Sequence, residues 1–350
     1  MQASEQATWQ ANAQAGALPA AAVLRIGLSA AAQAEHAGAI AAALGARPHE
    51  LLSFESLADV PAPPLDIAFV SRDVTGLSTK HTVLPETKAA HDVLRRAPGL
   101  AWVHMHAAGA DRPVYLELRE RGVTVCTSSG ANAEVVAQTA LTGLLMLARS
   151  FPRWLAAQRE GRWAPVMAGP LPRDLAGQTA LIVGWGPIGQ RLAALLQMLG
   201  LHVVVVRRDG SAPVPGIETV AYSRWHDALP RADWLLLACP LSPVTRALVD
   251  AAALAVLPPG AQLVNVARGE VVVQRDLIDA LQSGRLAGAY LDVFEHEPLT
   301  ADSPLWALEN VIVTPHAAGH SDGNEARVAA MFVDNLRRWC AGRNLVNAVA

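Results

Sequence analysis

The sequence predicts an α/β protein with two lobes, each built on a parallel sheet. Short apolar runs suited to strands alternate with helix-like segments along most of the 350 residues, a pattern typical of sheets covered by helices. A glycine-rich turn in the middle of the chain, VGWGPIG, joins one such run to a helix-like segment. A content of 52% hydrophobic and 17% charged residues provides enough apolar surface for two cores.

The first lobe is predicted from residues 23–126 together with residues 320–350. A flavodoxin-like alternation of strands and helices is expected here, and a long amphipathic segment near the C-terminus returns to the same lobe. The predicted strands are 23–28, 67–70, 102–105 and 123–126, and the predicted helices are 31–44, 86–96, 114–121 and 324–340. Residues 1–22 are rich in Ala and Gln and lack the apolar run of a signal peptide, so we expect a loosely ordered extension.

The second lobe is predicted over residues 127–319, inserted into the first. Six strand-like runs, at 180–183, 202–206, 234–238, 262–266, 288–291 and 311–313, predict a doubly wound, Rossmann-type sheet. Residues 133–149 are apolar on more faces than a surface helix needs. We therefore expect this helix to be buried between lobes or in a homodimer.

Composition excludes several classes of function. The net charge of -3 gives no concentrated basic face for nucleic acid or an anionic membrane, and the apolar stretches are far shorter than the roughly 20 residues of a membrane span. The three cysteines are widely separated, which favours a reducing, cytoplasmic location. No spacing of His and Cys predicts a metal site, and isolated histidines such as His36, His91 and His202 are expected at the surface or in packing roles.

The glycine-rich turn predicts a site for NAD or NADP. Gly184 permits the tight turn, Gly186 lets backbone amides approach a pyrophosphate, and Gly189 lets helix pack on strand. Pro187 and Ile188 complete the turn, and an apolar strand follows about twenty residues later, as the dinucleotide-binding fold requires.

The residues after that second strand favour NADP over NAD. The strand ends in Arg207 and Arg208, and two guanidinium groups match a 2′-phosphate, whereas NAD needs a carboxylate to accept from its ribose hydroxyl. The alternative is that both arginines face solvent and that Asp209 binds the ribose, so NAD is also possible.

Three polar residues follow three separate predicted strands of the second lobe. Arg268, Glu297 and His316 come after the runs at 262–266, 288–291 and 311–313, where ligands of open α/β sheets bind. An arginine can hold a carboxylate in a bidentate manner, and a histidine beside a carboxylate can exchange a proton with a carbonyl oxygen as hydride arrives. This trio indicates reduction of a 2-oxo acid, although each residue alone is more often structural.

At these motifs the chain resembles the D-isomer-specific 2-hydroxyacid dehydrogenase family, including its glyoxylate/hydroxypyruvate reductases. The resemblance runs from about residue 23 to the C-terminus and is carried by VGWGPIG, VNVARG, LDVFEHEPL and VTPHAAG. It implies that Arg268 binds substrate, that Glu297 orients the histidine, and that His316 is the acid/base. It also implies a homodimer with a small 2-oxo or 2-hydroxy acid as substrate.

The resemblance assigns further residues to substrate and cofactor. The segment HAAGAD resembles the loop whose amides, here those of Ala108 and Gly109, hold the substrate carboxylate. Arg72 stands where some relatives place an additional substrate-binding arginine, with a solvated surface arginine as the alternative; His104 and His106 could line the same region or serve in packing. The segments that flank the nucleotide contribute Cys239, Pro240, Ala267, Asp292, His316 and Gly319.

Departures from the family pattern and competing functions limit these assignments. Gln138 stands in place of a usual glutamate, and Val273 in place of a common aspartate, which removes an expected helix N-cap. A nucleotide-sensing regulator of the corepressor type shares the fold and the trio, and a phosphite-type dehydrogenase keeps Glu297. Formate dehydrogenases have glutamine at that position, so Glu297 argues against that activity.

Overall fold

The computed structural model describes residues 22–79, 82–165, 167, 171–208 and 214–349. Two compact units result: one comprises the described residues up to Ala131 and those from Asp322 onward, and the other is Asn132–Ser321. The first unit reaches beyond the predicted residue 126 because the amides of Thr127 and Ser128 donate to the carbonyls of Asn347 and Ala107, at 3.1 and 3.0 Å. Asp209 and residues 1–21 of the expected extension lie outside the described residues.

The strands and helices follow one another along the chain as the alternation predicts. The strands are β1 (Leu24–Leu28), β2 (His49–Ser53), β3 (Ile67–Val70), β4 (Trp102–Met105), β5 (Thr124–Thr127), β6 (Thr179–Val183), β7 (His202–Arg207), β8 (Glu218–Ala221), β9 (Trp234–Leu237), β10 (Gln262–Asn265), β11 (Gly288–Leu291) and β12 (Val311–Val313). The helices are α1 (Ala30–Leu44), α2 (Arg72–Thr75), α3 (Pro85–Arg96), α4 (Pro113–Glu120), α5 (Ala133–Ala148), α6 (Phe151–Arg159), α7 (Pro187–Met198), α8 (Ala251–Val256), α9 (Gln274–Gln282) and α10 (Asn324–Cys340).

The first unit is built on a five-stranded sheet in the order β2-β1-β3-β4-β5. All four strand pairings are parallel, and this is the flavodoxin-like order that the sequence predicts. The strand β2 was not predicted because its sequence, HELLS, is polar at three of five positions and its side chains are mostly half-buried. It is an edge strand, for which no continuous apolar run is needed.

Helix α10 covers one face of this sheet together with α1. Its residues Val328, Phe332 and Leu336 are buried and recur every four positions, so they form one apolar stripe. The ring of Phe332 stacks on Phe69 of β3 with a centroid distance of 4.5 Å. This contact thus joins the last helix of the chain to strand β3.

Among the described residues of the first unit, His91 and His104 are buried. His104 is fully buried on β4 and its Nε2 lies 3.0 Å from Ser128 Oγ, while His91 on α3 is 4% exposed. Burial lowers the pKa of His104 to about 3 and, together with the nearby Arg112, the pKa of His91 to about 4. His104 therefore has a packing role, the second of the two alternatives considered for it.

These histidines should make the protein sensitive to acid. Both pKa values lie below that of an unfolded histidine, so the neutral rings contribute stability above about pH 6.5 that is lost as the pH falls toward 4 and then 3. We expect the free energy of unfolding to fall by about 1.4 kcal/mol per pH unit for each histidine over that window. Urea unfolding at several pH values measures this slope. His104→Asn should make the slope shallower, and an unchanged slope would contradict the expectation.

The second unit is a doubly wound parallel sheet in the order β12-β11-β10-β9-β6-β7-β8. The sequence predicted six of its seven strands and missed β8. That strand, ETVA, has no fully buried residue and lies at the edge of the sheet, so its sequence lacks the apolar signal of the interior strands. With β8 in place, the arrangement around β6 is that of a Rossmann-type nucleotide-binding fold, which confirms the predicted fold class.

Helix α5 is buried within the second unit, where it packs against α7 and β11. Val136, Ala140 and Leu144 form its inward stripe. The helix that follows, α6, was not predicted and leaves Phe151 and Leu155 42% and 36% exposed. In the described part of the chain, no helix combines the length and apolar character needed to cross a membrane.

Candidate active site

The glycine-rich turn lies between β6 and α7. Gly184 has a φ of 111°, and a Cβ atom there would lie 2.7 Å from the carbonyl oxygen of Ala238. A Cβ at Gly189 would lie 2.1 Å from the carbonyl oxygen of Gly184. Both positions therefore exclude any larger residue, and the helix can approach the strand closely.

Gly186 differs from Gly184 and Gly189 in having open space around it. Apart from the adjacent residues, no atom of the described part of the chain lies within 4 Å of a Cβ built at this position, and its backbone has an ordinary φ of -78°. It is the N-cap of α7, which begins at Pro187, and no side chain accepts from the first-turn amides. Amides at a helix start lack partners within the helix and attract anions, so the turn fits the pyrophosphate of a dinucleotide cofactor.

The other residues predicted to bind cofactor follow neighbouring strands. Arg207 is the last residue of β7 and is half-buried, whereas Arg208 is exposed. Cys239 and the exposed Pro240 follow β9. Burial raises the pKa of the Cys239 thiol to about 11, so this cysteine contributes shape and backbone and not a reactive thiolate.

Arg268, Glu297 and His316 follow three strands that are neighbours in the sheet. They lie beyond the carboxyl ends of β10, β11 and β12, which pair in that order. Because all three strands are parallel, these ends meet at the same edge, which is also the edge where β6 meets the glycine-rich turn. The structure thus places the predicted trio and the predicted nucleotide turn on one edge of one sheet.

His316 and Glu297 form a hydrogen-bonded pair. His316 Nδ1 lies 2.8 Å from Glu297 Oε2, and the other carboxylate oxygen, Oε1, accepts from the amide of Phe294 at 3.1 Å. The Glu297 side chain is 15% exposed and that of His316 is 49% exposed. The carboxylate is therefore held by two hydrogen bonds, one of them to Nδ1 of the imidazole.

The turn that carries His316 is held by Asp292. His316 has a φ of 51°, in the left-handed region, and its amide donates to the carbonyl of Asp292 at 2.8 Å. The Asp292 carboxylate is 2% exposed and accepts from the amides of Ala317 and Ala318, at 2.8 and 3.0 Å. Burial raises the pKa of Asp292, and these hydrogen bonds oppose that rise. Asp292, predicted near the nicotinamide, thus supports the backbone beneath the histidine.

Arg268 is held by its neighbours in the loop after β10. Its guanidinium Nη1 donates to the carbonyl of the buried Ala267 at 2.8 Å, and its own carbonyl accepts from Asn265 Nδ2 at 3.2 Å. Asn265 Oδ1 also accepts from the amide of Ala267 at 3.0 Å. Asn265 was not predicted as a site residue, although a buried polar residue at the end of an apolar strand is a signal of such a role.

The loop that carries Glu297 is anchored to α9 by a pair that was also not predicted. Val273 offers no side-chain cap to this helix, as expected from the missing aspartate. Instead, Glu295 Oε1 accepts from the amide of Gln274 at 3.0 Å, and Gln274 Oε1 accepts from the amide of Glu295 at 3.3 Å. A carboxylate distant in sequence therefore supplies the cap.

Gly319 closes the His316 turn against α5. A Cβ atom at Gly319 would lie 2.3 Å from Asn132 Nδ2. A larger residue at 319 would therefore require the Asn132 side chain to move.

The predicted substrate residues of the first unit lie at the carboxyl ends of β3 and β4. Ala108 is exposed and Gly109 half-buried in the loop after β4, and Arg72 is the first residue of α2. Arg72 and His106 line one cavity of this unit, together with His36 and Phe69. His106 Nε2 also lies 2.5 Å from Thr75 Oγ1. The described residues contain no group of three or more His, Cys, Asp or Glu side chains arranged to hold a metal ion.

Comparisons with known proteins agree with this geometry. The model of the D-isomer specific 2-hydroxyacid dehydrogenase family, NAD binding domain, matches residues 141–318. The chain belongs to this family. Its members are dehydrogenases and reductases that use a nicotinamide cofactor, so the chain is an NAD(P)-dependent 2-hydroxyacid dehydrogenase or 2-oxo acid reductase, and the predicted resemblance is confirmed.

Three relatives illustrate the range of the family. The chain is 38% identical to a (S)-sulfolactate dehydrogenase of Chromohalobacter salexigens over 72% of its own length and 81% of the relative's. It is 35% identical to a glyoxylate reductase of Korarchaeum cryptofilum over 73% of its own length and 79% of the relative's. A solved D-isomer specific 2-hydroxyacid dehydrogenase from Xanthobacter autotrophicus Py2, in complex with NADPH and MES, superposes with a TM-score of 0.73 at 31% identity, covering 93% of this chain and 98% of that one.

Proposed function

We propose that this enzyme reduces a small 2-oxo acid, such as glyoxylate or hydroxypyruvate, to the D-2-hydroxy acid with NADPH. The observation that carries the proposal is the 2.8 Å hydrogen bond between His316 and Glu297. It presents an oriented acid/base at the sheet edge that also carries the nucleotide turn. The similarity to a glyoxylate reductase supports the choice of substrate.

His316 is the proposed acid/base of the reaction. In the reduction direction, imidazolium donates its Nε2 proton to the carbonyl oxygen, and in the oxidation direction neutral imidazole removes the hydroxyl proton. Glu297 holds Nδ1 and stabilises the charged ring. The nicotinamide cofactor supplies or accepts the hydride when bound.

Substrate binding is assigned to Arg268 and to the first unit. The guanidinium of Arg268 would hold the substrate carboxylate and polarise the substrate carbonyl group. Its interaction with the carbonyl oxygen would become stronger as negative charge develops on that oxygen. The amides of Ala108 and Gly109 donate to no protein acceptor within the described residues, so they can bind a carboxylate. Arg72 is a further candidate for a second anionic group on the substrate.

NADP is the proposed cofactor because of the arginine pair at the end of β7. Arg207→Ala/Arg208→Ala should lower kcat/KM for NADPH by about 10- to 100-fold, since charge-assisted hydrogen bonds to the 2′-phosphate are lost. The value for NADH should change little. Steady-state kinetics with both cofactors measure the ratio, and Arg224→Ala, which removes an exposed arginine paired with Asp227, is the control. Equal losses with both cofactors would argue against 2′-phosphate recognition.

A substrate panel tests the proposed activity. Oxidation of NADPH and of NADH is followed with glyoxylate, hydroxypyruvate, pyruvate and the 2-oxo acid of sulfolactate. Turnover of one of them supports the reductase. Binding of nucleotide without turnover of any 2-oxo acid would instead favour the sensing regulator. Reduction of NAD+ or NADP+ with phosphite, followed in a separate assay, would favour the phosphite-type enzyme.

A homodimer is the proposed assembly. Large apolar side chains are exposed beyond α5, including Trp163 at 92% and Met167 at 83%. Contiguous exposed apolar patches mark interfaces between subunits, and we propose that these side chains form one. We place the interface on these residues and on the helix predicted at 133–149. Sedimentation equilibrium measures the oligomeric state.

A cytoplasmic location is proposed from the cysteines. Cys126 and Cys239 are buried free thiols, and Cys340 is an exposed free thiol. An exposed free thiol persists most readily in a reducing compartment.

A further inference from the structure

A hydrogen-bonded series of side chains lies behind the His316 turn in the second unit. Tyr290 Oη lies 2.8 Å from Thr314 Oγ1, and Thr314 Oγ1 donates to Asp292 Oδ1 at 2.6 Å. Both Tyr290 and Asp292 are 2% exposed. Because Asp292 also accepts from the amides of Ala317 and Ala318, the series ends at the two residues that follow His316.

The direction of each hydrogen bond in this series is determined. A hydroxyl group has one hydrogen, and that of Thr314 is used on Asp292. Tyr290 must therefore donate to Thr314. Every donor in the series points toward the carboxylate, an arrangement that stabilises its charged form in a buried place.

Helix α5 fixes the position of the tyrosine ring. A Cβ atom at Gly143 would lie 2.3 Å from Tyr290 Cγ, so only glycine leaves room for the ring. Glycine inside a helix costs about 1 kcal/mol relative to alanine, and here the space it leaves is filled by an aromatic ring. Thr139 Oγ1 of the same helix lies 3.1 Å from the carbonyl oxygen of Ala318 and 3.0 Å from that of Val135, so these two acceptors share its one hydrogen. One helix thus supports both ends of the series.

We propose that Tyr290 and Thr314 are positioning residues for the acid/base His316. They orient the Asp292 carboxylate, which holds the amides of Ala317 and Ala318 and so the left-handed backbone of the histidine. This inference rests on the proposed role of His316. Neither residue has to touch the reacting atoms.

The series has a consequence for the pH dependence of the reaction. The titratable groups that act on Asp292 are His316, which lowers the pKa of Asp292, and Tyr290. Burial raises the pKa of Asp292, and the hydrogen bond from Thr314 is the largest opposing influence. Loss of that bond should let Asp292 take up a proton at a higher pH, and activity should then fall at a higher pH on the acid side.

The test compares Thr314→Val with Thr314→Ser. The valine variant should lower kcat about tenfold, with KM for both substrates within about twofold, because it removes a hydrogen bond to a charged group. The pH at which kcat falls to half on the acid side of its pH profile, the acid-side midpoint, should move to a higher pH. Hydrogen exchange at the Ala317 and Ala318 amides should become faster. Serine keeps the hydroxyl and should restore all three properties.

Tyr290→Phe provides a second variant that keeps the ring. This variant should lower kcat a few-fold and move the acid-side midpoint to a higher pH, as in Thr314→Val. If Thr314→Val does not fold, Tyr290→Phe alone tests the positioning role. The inference would be overturned if a folded variant kept the wild-type values of kcat, of the acid-side midpoint and of the amide exchange rates. Failure of the proposed function has a different signature, namely no turnover of any 2-oxo acid by the wild-type protein. Retained turnover in His316→Ala would refute only the role of His316, and the exchange measurement needs no turnover at all.

Discussion

Replacement of His316 by alanine is expected to lower kcat for 2-oxo acid reduction by about 10²- to 10⁴-fold, the usual contribution of a positioned acid. The change removes the group that we propose donates a proton to the carbonyl oxygen. The nucleotide turn is unaffected because it follows a different strand, β6. Cofactor affinity, measured by fluorescence titration, should therefore remain within a few-fold of the wild-type value, and steady-state kinetics give the loss in kcat.

Two further variants control this prediction. His296→Ala removes an exposed histidine beside Glu297 and should leave kcat within a few-fold. Glu297→Gln keeps a hydrogen-bond acceptor for Nδ1 but loses the charge, so an intermediate loss is expected. Turnover near the wild-type rate in His316→Ala would show that another group is the acid.

Replacement of Gly189 by alanine is expected to abolish cofactor binding and to destabilise the second unit by about 2–4 kcal/mol. The added Cβ would lie 2.1 Å from the carbonyl oxygen of Gly184, and a backbone atom cannot move away as the end of a side chain can. Helix α7 must therefore shift from β6. Urea unfolding and cofactor titration measure the two effects.

Gly186→Ala is the matched control, because a Cβ there meets no atom of the described, non-adjacent residues within 4 Å. This variant should unfold at the wild-type urea concentration and yet bind cofactor about 10- to 100-fold more weakly, since the methyl group occupies the approach to the pyrophosphate. Equal stability of both variants would contradict the packing role of Gly189. Unchanged cofactor affinity in Gly186→Ala would contradict the position assigned to the pyrophosphate.

The sequence was sufficient to predict the interior strands, the nucleotide turn and the strand ends that carry Arg268, Glu297 and His316. Interior strands of a parallel sheet are buried on both faces and appear as apolar runs. Residues directly after such runs must lie at one edge of the sheet, so the order of runs and polar residues along the chain places three distant positions together.

The remaining features depend on partners that are distant in sequence. The edge strands β2 and β8 gave no apolar signal because none of their residues is fully buried. Nothing local to Gln274 indicates that its cap comes from Glu295, and nothing local to Gly143 indicates that the ring of Tyr290 lies against it. Such pairings follow from packing and not from periodicity.

The order of the two units along the chain has a consequence for synthesis on the ribosome. The second unit is a continuous segment, Asn132–Ser321, and can fold once it has emerged. The first unit is interrupted, because the apolar stripe of α10 is made last and Phe332 then stacks on Phe69, made much earlier. Until translation ends, this face of the N-terminal sheet has only α1 and lacks the part of its cover that α10 provides. We expect nascent chains that stall before Asn324 to bind chaperones through this face, while their nucleotide-binding unit is already folded.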